Sequence, residues 1–143
     1  MEESRNILVP VDGSEGSARA AAFAAGLARD TGARVALLHV YDAPTAVAMG
    51  LMAAVPTDLD DSYATLTQAC FAKAKAAMGE VEVKEHLVEI GHPAERIVEV
   101  ASTGGFSQIV MGSRGLSPFK ELLLGSVSER VLRNAHCAVT IVR

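Results

Sequence analysis

The stretch RNILVPVDGSEGSARAAAFAAGLARDTGARVALLHV, residues 5–40, decides the fold. It opens with Arg5-Asn6-Ile7-Leu8-Val9-Pro10-Val11, a short and nearly continuous apolar run, as expected for a strand covered on both faces. Asp12-Gly13-Ser14 breaks the run. Ser14 suits a helix N-cap, and Glu15 in the first turn complements the helix dipole. Ala20, Phe23, Ala24, Leu27 and Ala28 then fall at helical spacing on one face, and Thr31-Gly32 ends the helix. Arg34 to Val40 reads as a second buried strand. Strand, helix and strand with short connections imply parallel pairing through a right-handed crossover.

The rest of the chain repeats that unit. From Tyr41 to about Asp60 it is irregular, with Pro44 and Pro56 bracketing a mildly apolar stretch. A helix from about Asp60-Asp61 to Met78 would turn Tyr63, Leu66, Cys70, Ala74 and Ala77 inward, with Gly79 as its stop. Val81 to Ile90 looks like a strand, but Glu82, Lys84, Glu85 and His86 crowd it, which is the usual protection of a sheet edge. Gly91-His92-Pro93 opens a third helix with Pro93 at its first position and Ala94, Ile97, Val98 and Ala101 on its inner face. Ser107 to Met111 is a strand, Gly112 to Gly125 a glycine-punctuated loop, Ser126 to Asn134 a last helix and Val139 to Val142 a final strand. The expectation is an α/β fold over residues 1–143: one doubly wound, Rossmann-like parallel sheet of five strands with helices on both faces. One conflict stands out. Pro10 lies in a central strand, where it forfeits a ladder donor, although its place near the strand end limits the damage.

Composition narrows the function. Half of the 143 residues are apolar and 4% are aromatic, so a closely packed aliphatic core is expected. A net charge of −4 argues against a broad nucleic-acid surface. The opening residues carry no signal-peptide hydrophobic region, and no apolar run reaches the roughly 18 residues of a membrane span, which suggests a cytoplasmic protein without membrane insertion. Cys70 and Cys137 fall in apolar patterns and read as reduced core thiols.

Ligands of open parallel sheets bind outside the carboxyl ends of the strands, where the winding reverses. That nominates Val11 to Ser14, His39 to Tyr41, and Met111 to Ser128. The third segment reads Gly112-Ser113-Arg114-Gly115, nine residues, then Gly125-Ser126-Val127-Ser128 opening a helix. Glycines tolerate positive φ and let main-chain N–H groups approach an anion, and a helix start adds unpaired amides and a positive dipole end. The Ser126 and Ser128 hydroxyls would add donors, and Arg114 or Lys120 would offset phosphate charge. The plain alternative is that these glycines only turn the chain and cap the helix.

Taken with Ile7-Leu8-Val9-Pro10-Val11-Asp12-Gly13-Ser14, Gly91-His92-Pro93-Ala94 and Ile109-Val110-Met111, the spacing Gly112-x2-Gly115-x9-Gly125-Ser126 resembles the ATP-binding branch of the universal stress protein family over essentially the whole chain. The resemblance implies strand order 3-2-1-4-5. It implies that Val40 meets adenine through backbone and side chain, with Pro10 and Val11 as apolar neighbours. Met111 and Gly112 would line the ribose side, and Asp12 would sit beside the adenosine as a candidate holder of Mg²⁺. Gly115, Gly125, Ser126, Val127 and Ser128 would hold the phosphates, with Arg114 nearby. It further implies ATP as the ligand and a homodimer paired through the C-terminal strand. Ser107-Gln108 and His136-Cys137-Ala138 depart from the family's usual alanine-aspartate and Pro-Cys-Pro.

Other chemistries fit less well. The P-loop pattern is absent, no Ser-His-Asp or Cys-His set is visible, and the S-G-G-x-D-S loop of ATP pyrophosphatases does not match residues 12–17. Asp12 reads either as a ligand residue or as a helix-capping turn residue. His39 and His86 lie within strands and read as structural. Residues 43–58 would form a lid, a partner surface or a plain connection. A nucleotide-dependent sensor or adaptor with a regulatory protein partner, a slow Mg²⁺-dependent ATPase acting as a timer, and a ligand-free structural module remain as the functional expectations.

Overall fold

The computed structural model describes residues 5–42, 58–113 and 124–143, the side chains of 58–63 excepted. Its elements are β1 (Asn6–Pro10), α1 (Glu15–Thr31), β2 (Arg34–Tyr41), α2 (Asp58–Met78), β3 (Val83–Ile90), α3 (Pro93–Thr103), β4 (Gln108–Gly112), α4 (Ser126–Asn134) and β5 (Ala138–Val142). The strands form one parallel sheet in the order β3-β2-β1-β4-β5. The winding therefore reverses between β1 and β4.

Strand alternation sorts the core into two layers. Ile7, Val9, Val35, Leu37 and Val110 pack against α1 and α2, while Leu8, Leu38, Ile109 and Met111 pack against α3 and α4. Ser17, Ala18, Ala20, Ala21, Ala24, Ala25 and Ala28 are the buried residues of α1, so small side chains bring that helix close to the sheet. Phe23, expected on this face, is 45% exposed, because the stripe runs through the alanines beside it. On α2 the buried stripe is Thr67, Cys70, Ala74 and Met78. Leu66 and Ala77 are exposed, since each lies one residue, about 100° of helix, off that line. Tyr63 falls outside the described side chains.

Local signals behave as their chemistry requires. The Ser14 hydroxyl accepts from the Ser17 N–H at 3.1 Å, and Gly32 closes α1 with φ 75°. β3 lies at an edge as its charges suggest, and a register shift skips Lys84 between Val83 and Glu85.

Pro10 loses nothing to its missing donor. Asn6 accepts from Ser107 N–H, so the even residues of β1 face β4, and the β1–β4 ladder runs only through Ile7↔Gln108 and Leu8↔Ile109. It stops where Pro10 would have had to donate. On the other side the β1–β2 ladder continues to Val11 N–H, which donates to the Leu38 carbonyl at 2.8 Å. The end of β1 is thus released from β4 one step before it is released from β2.

Candidate functional site

The released end of β1 leaves a crevice of about 430 Å³ at the carboxyl ends of the strands. Pro10, Val11 and Asp12 form one wall, Val40 stands across from them, and Met111 and Gly112 close the β4 side. Gly125, Ser126, Val127 and Ser128 bring the start of α4 to the same space. Ten of the residues nominated from sequence therefore converge. Arg114 and Gly115, with Lys120, lie outside the described residues.

The turn after β1 is held by its own side chains. The Asp12 carboxylate accepts from the Ser14 N–H at 2.9 Å, so it braces the turn while lining the crevice. Gly13 has φ 85°, a left-handed conformation that a side chain would strain. Lys73 from α2 donates to the Gly13 carbonyl at 3.1 Å and pairs with Glu15 at 2.8 Å. That lysine holds the exposed Glu15 carboxyl below its ordinary range. Cys70 lies under the turn; burial, then the Asp12 charge, pushes its thiol up, so the protonated form persists.

Gly112 and Gly125, the described glycines of the loop, work differently from the sequence expectation. Neither Gly112 nor Gly125 takes a positive φ; Gly125 sits at φ −72° and ψ 165°, open to other residues. Gly112 is required by contact instead, since a Cβ there would lie 2.9 Å from the Gly16 carbonyl carbon. Ser128 also differs. Its side chain is 2% exposed, and its hydroxyl is directed to the Ser113 carbonyl at 2.7 Å and the Gly125 carbonyl at 3.1 Å. Its one proton is spent within the protein, so the hydroxyl is not an added donor to the crevice.

The α4 main chain offers the donors. Gly125 N–H is taken by the Ser113 carbonyl at 2.6 Å, and the first intrahelical donor is Glu129 N–H, bonded to Gly125 O at 3.0 Å. The amides of Ser126, Val127 and Ser128 fall between, and no side chain caps them among the described residues. Three amides and the positive end of the helix dipole are the kind of donor set that suits an anion.

Val40 supplies the opposite end. Leu38 accepts from Val11, and Tyr41 accepts from Gly91, so the main chain of Val40 points toward β1. There the ladder has stopped, and Val40 N–H and C=O face the crevice without a partner among the described residues.

His39 and Tyr41, within the segment nominated from sequence, extend the β2 wall; lining residues that sequence reading passed over are Asp42 after β2, Leu66 and Cys70 from α2, and Pro93 and Ile97 from α3. Pro93 was legible as a helix start, but its approach to the end of β2 follows from sheet order. Asp42 is a second carboxylate in the crevice lining, with Asp12. Among the described residues no three His, Cys, Asp or Glu side chains are grouped to hold a metal. One or two carboxylates suit a Mg²⁺ that takes its remaining ligands from phosphate and water.

A family model described as "Universal stress protein family" matches residues 3–143. The chain is 37% identical to universal stress protein MJ0531 of Methanocaldococcus jannaschii over 97% of its own length and 82% of that protein's. Among solved structures it is similar to MJ0577 of the same organism, with TM-score 0.74, 30% identity and coverage of 97% and 95% of the two chains. It is also similar to a universal stress protein in complex with cAMP, with TM-score 0.68, 27% identity and coverage of 99% and 98%.

Proposed function

The chain belongs to the universal stress protein family, and from that premise we propose that it is a regulatory protein whose crevice binds an adenine nucleotide, ATP with Mg²⁺. The observation that carries this reading is the pairing of two unused main-chain sets in one crevice: Val40 N–H and C=O at one end, and the amides of Ser126, Val127 and Ser128 at the other. The adenine edge offers N1 as acceptor and N6 as donor, which complements an N–H and a C=O directed the same way. Guanine reverses that pattern with O6 and N1–H. Pro10, Val11, Pro93 and Ile97 give the base apolar neighbours, and Met111 and Gly112 border the ribose. Polyphosphate lies at the α4 mouth, where the family resemblance would add Gly115 and Arg114, with Mg²⁺ beside Asp12. The similar structure solved with cAMP supports an adenine nucleotide of some kind.

ATP binding changes what a partner protein or a second subunit meets, provided the two states differ in ATP affinity. β5 is an edge strand whose Val139 to Val142 remain half-buried, which supports pairing with its twin in a homodimer. Light scattering then reads twice the 14.9 kDa chain mass; the chain mass alone at micromolar concentration rejects the dimer. The free Cys70 and Cys137 fit a reducing, cytoplasmic setting.

Calorimetry tests the site. ATP binds the wild type, and Gly115→Val and Gly125→Val abolish binding with the fold retained; unchanged affinity in both rejects the phosphate assignment. Asp12 in the crevice favours one second reading, slow hydrolysis as a timer. Phosphate release with Mg²⁺ at the rate of a blank, in wild type and Asp12→Ala alike, leaves the sensor.

A further inference from the structure

His39 is the buried side chain at which the β1–β2 ladder ends. It is 7% exposed and lines the crevice, and its Nδ1 lies 2.7 Å from the Val11 carbonyl. A carbonyl only accepts, so Nδ1 carries the proton and donates. Its ring packs edge-on to Tyr41, with centroids 4.6 Å apart at 87°, which sets the plane from which Nδ1 reaches Val11.

The identity of that acceptor matters. In a parallel ladder the residue two beyond Leu38 donates next, and its acceptor is the carbonyl of the residue that bonded Leu38. Val11 N–H bonds Leu38 O, so a continued ladder would join Val40 N–H to Val11 O. That bond is absent, and the imidazole of His39 occupies the acceptor instead. Val11 is 3% exposed, and a buried carbonyl does not go without a donor. His39 supplies that donor here, and Val40 N–H is the donor a continued ladder would supply in its place.

We propose that His39 is a positioning residue for nucleobase recognition: by donating to Val11 it keeps Val40 N–H out of the sheet and available to the base. This rests on the adenine-nucleotide reading above and adds to it the residue that sets base selectivity. His39 touches no phosphate in this account and acts only through Val11 and Val40. Without its donor, the Val11 carbonyl recruits Val40, the fork between β1 and β2 closes, and the donor meant for adenine N1 is consumed.

The substitutions separate the donor from the ring. In His39→Asn the side-chain amide nitrogen takes the place of Nδ1 and still donates; His39→Leu keeps bulk and removes the donor. The primary readout needs no nucleotide: amide hydrogen exchange at Val40. In the wild type and His39→Asn, Val40 N–H exchanges as an unprotected amide and becomes protected on adding ATP. In His39→Leu it is protected beforehand, ATP affinity falls about tenfold, the loss of one hydrogen bond to the ligand, and the preference for ATP over GTP shrinks. A merely structural histidine would not move the base preference or the Val40 amide. Strong Val40 protection in the nucleotide-free wild type overturns the proposal, and does so even if His39→Leu fails to fold. So does a folded His39→Leu with wild-type ATP affinity and selectivity. Absence of any ATP binding to the wild type rejects the nucleotide reading, while Val40 exchange still decides the role of His39.

Discussion

Gly112 at the end of β4 touches Gly16 in the first turn of α1, backbone to backbone. A Cβ on Gly112 would lie 2.9 Å from both the carbonyl carbon and the carbonyl oxygen of Gly16. The atoms it meets belong to a helix, so they cannot swing aside as a side-chain end would. Gly112→Ala is therefore expected to lose about 1–3 kcal/mol of stability through overpacking. Chemical denaturation checks this, and an unchanged midpoint would show that α1 yields freely.

Ser128 is expected to act through the protein rather than on a ligand. Ser128→Ala removes the hydroxyl from the Ser113 carbonyl, which keeps the Gly125 N–H. The cost is about 1 kcal/mol, because the acceptor is not orphaned. ATP affinity should change only a few-fold. A loss of about a hundredfold with stability intact would make the hydroxyl a direct ligand.

Tyr41, 2% exposed, has its phenol pushed up to about 12, by burial first and the neighbouring Cys70 second. The sign follows from which state holds the proton. Between pH 10 and 12 the unfolded chain releases it while the fold retains it, so unfolding gains. The contribution is intact below pH 10 and disappears as pH rises through about 12, roughly 2–3 kcal/mol in all. Denaturation of wild type against Tyr41→Phe isolates the effect, since other groups are common to both. Parallel pH profiles would contradict it.

The thiols give a fourth check. Burial raises both Cys70 and Cys137, so little thiolate exists near neutral pH. Both should react with a thiol reagent far more slowly in the fold than in denaturant. Rapid labelling of Cys70 at neutral pH would show that the turn at Gly13 opens readily.

Much of this architecture was legible in the sequence because it rests on local chemistry. Ser14, Gly32 and Pro93 mark helix ends through caps and fixed φ, and the charges of β3 mark an edge. The crevice was legible because switch-point geometry follows from strand–helix alternation, and the family resemblance supplied the strand order. What escaped depends on three-dimensional register. The rotation of α2 that buries Thr67 and Met78 is invisible when a helix carries apolar residues on several faces. Close approach, not backbone freedom, explains Gly112, and that needs the position of Gly16. His39 read as a structural strand histidine; that its donor falls on Val11 depends on where β1 leaves the sheet.

The location of the nucleotide tests the account most directly. Amide chemical-shift mapping during an ATP titration should perturb Asp12, Val40 and Met111 together with Ser126 and Val127, the two ends of one crevice. A saturating titration that leaves Val40 and the α4 amides unmoved, or shifts a different surface, would contradict it.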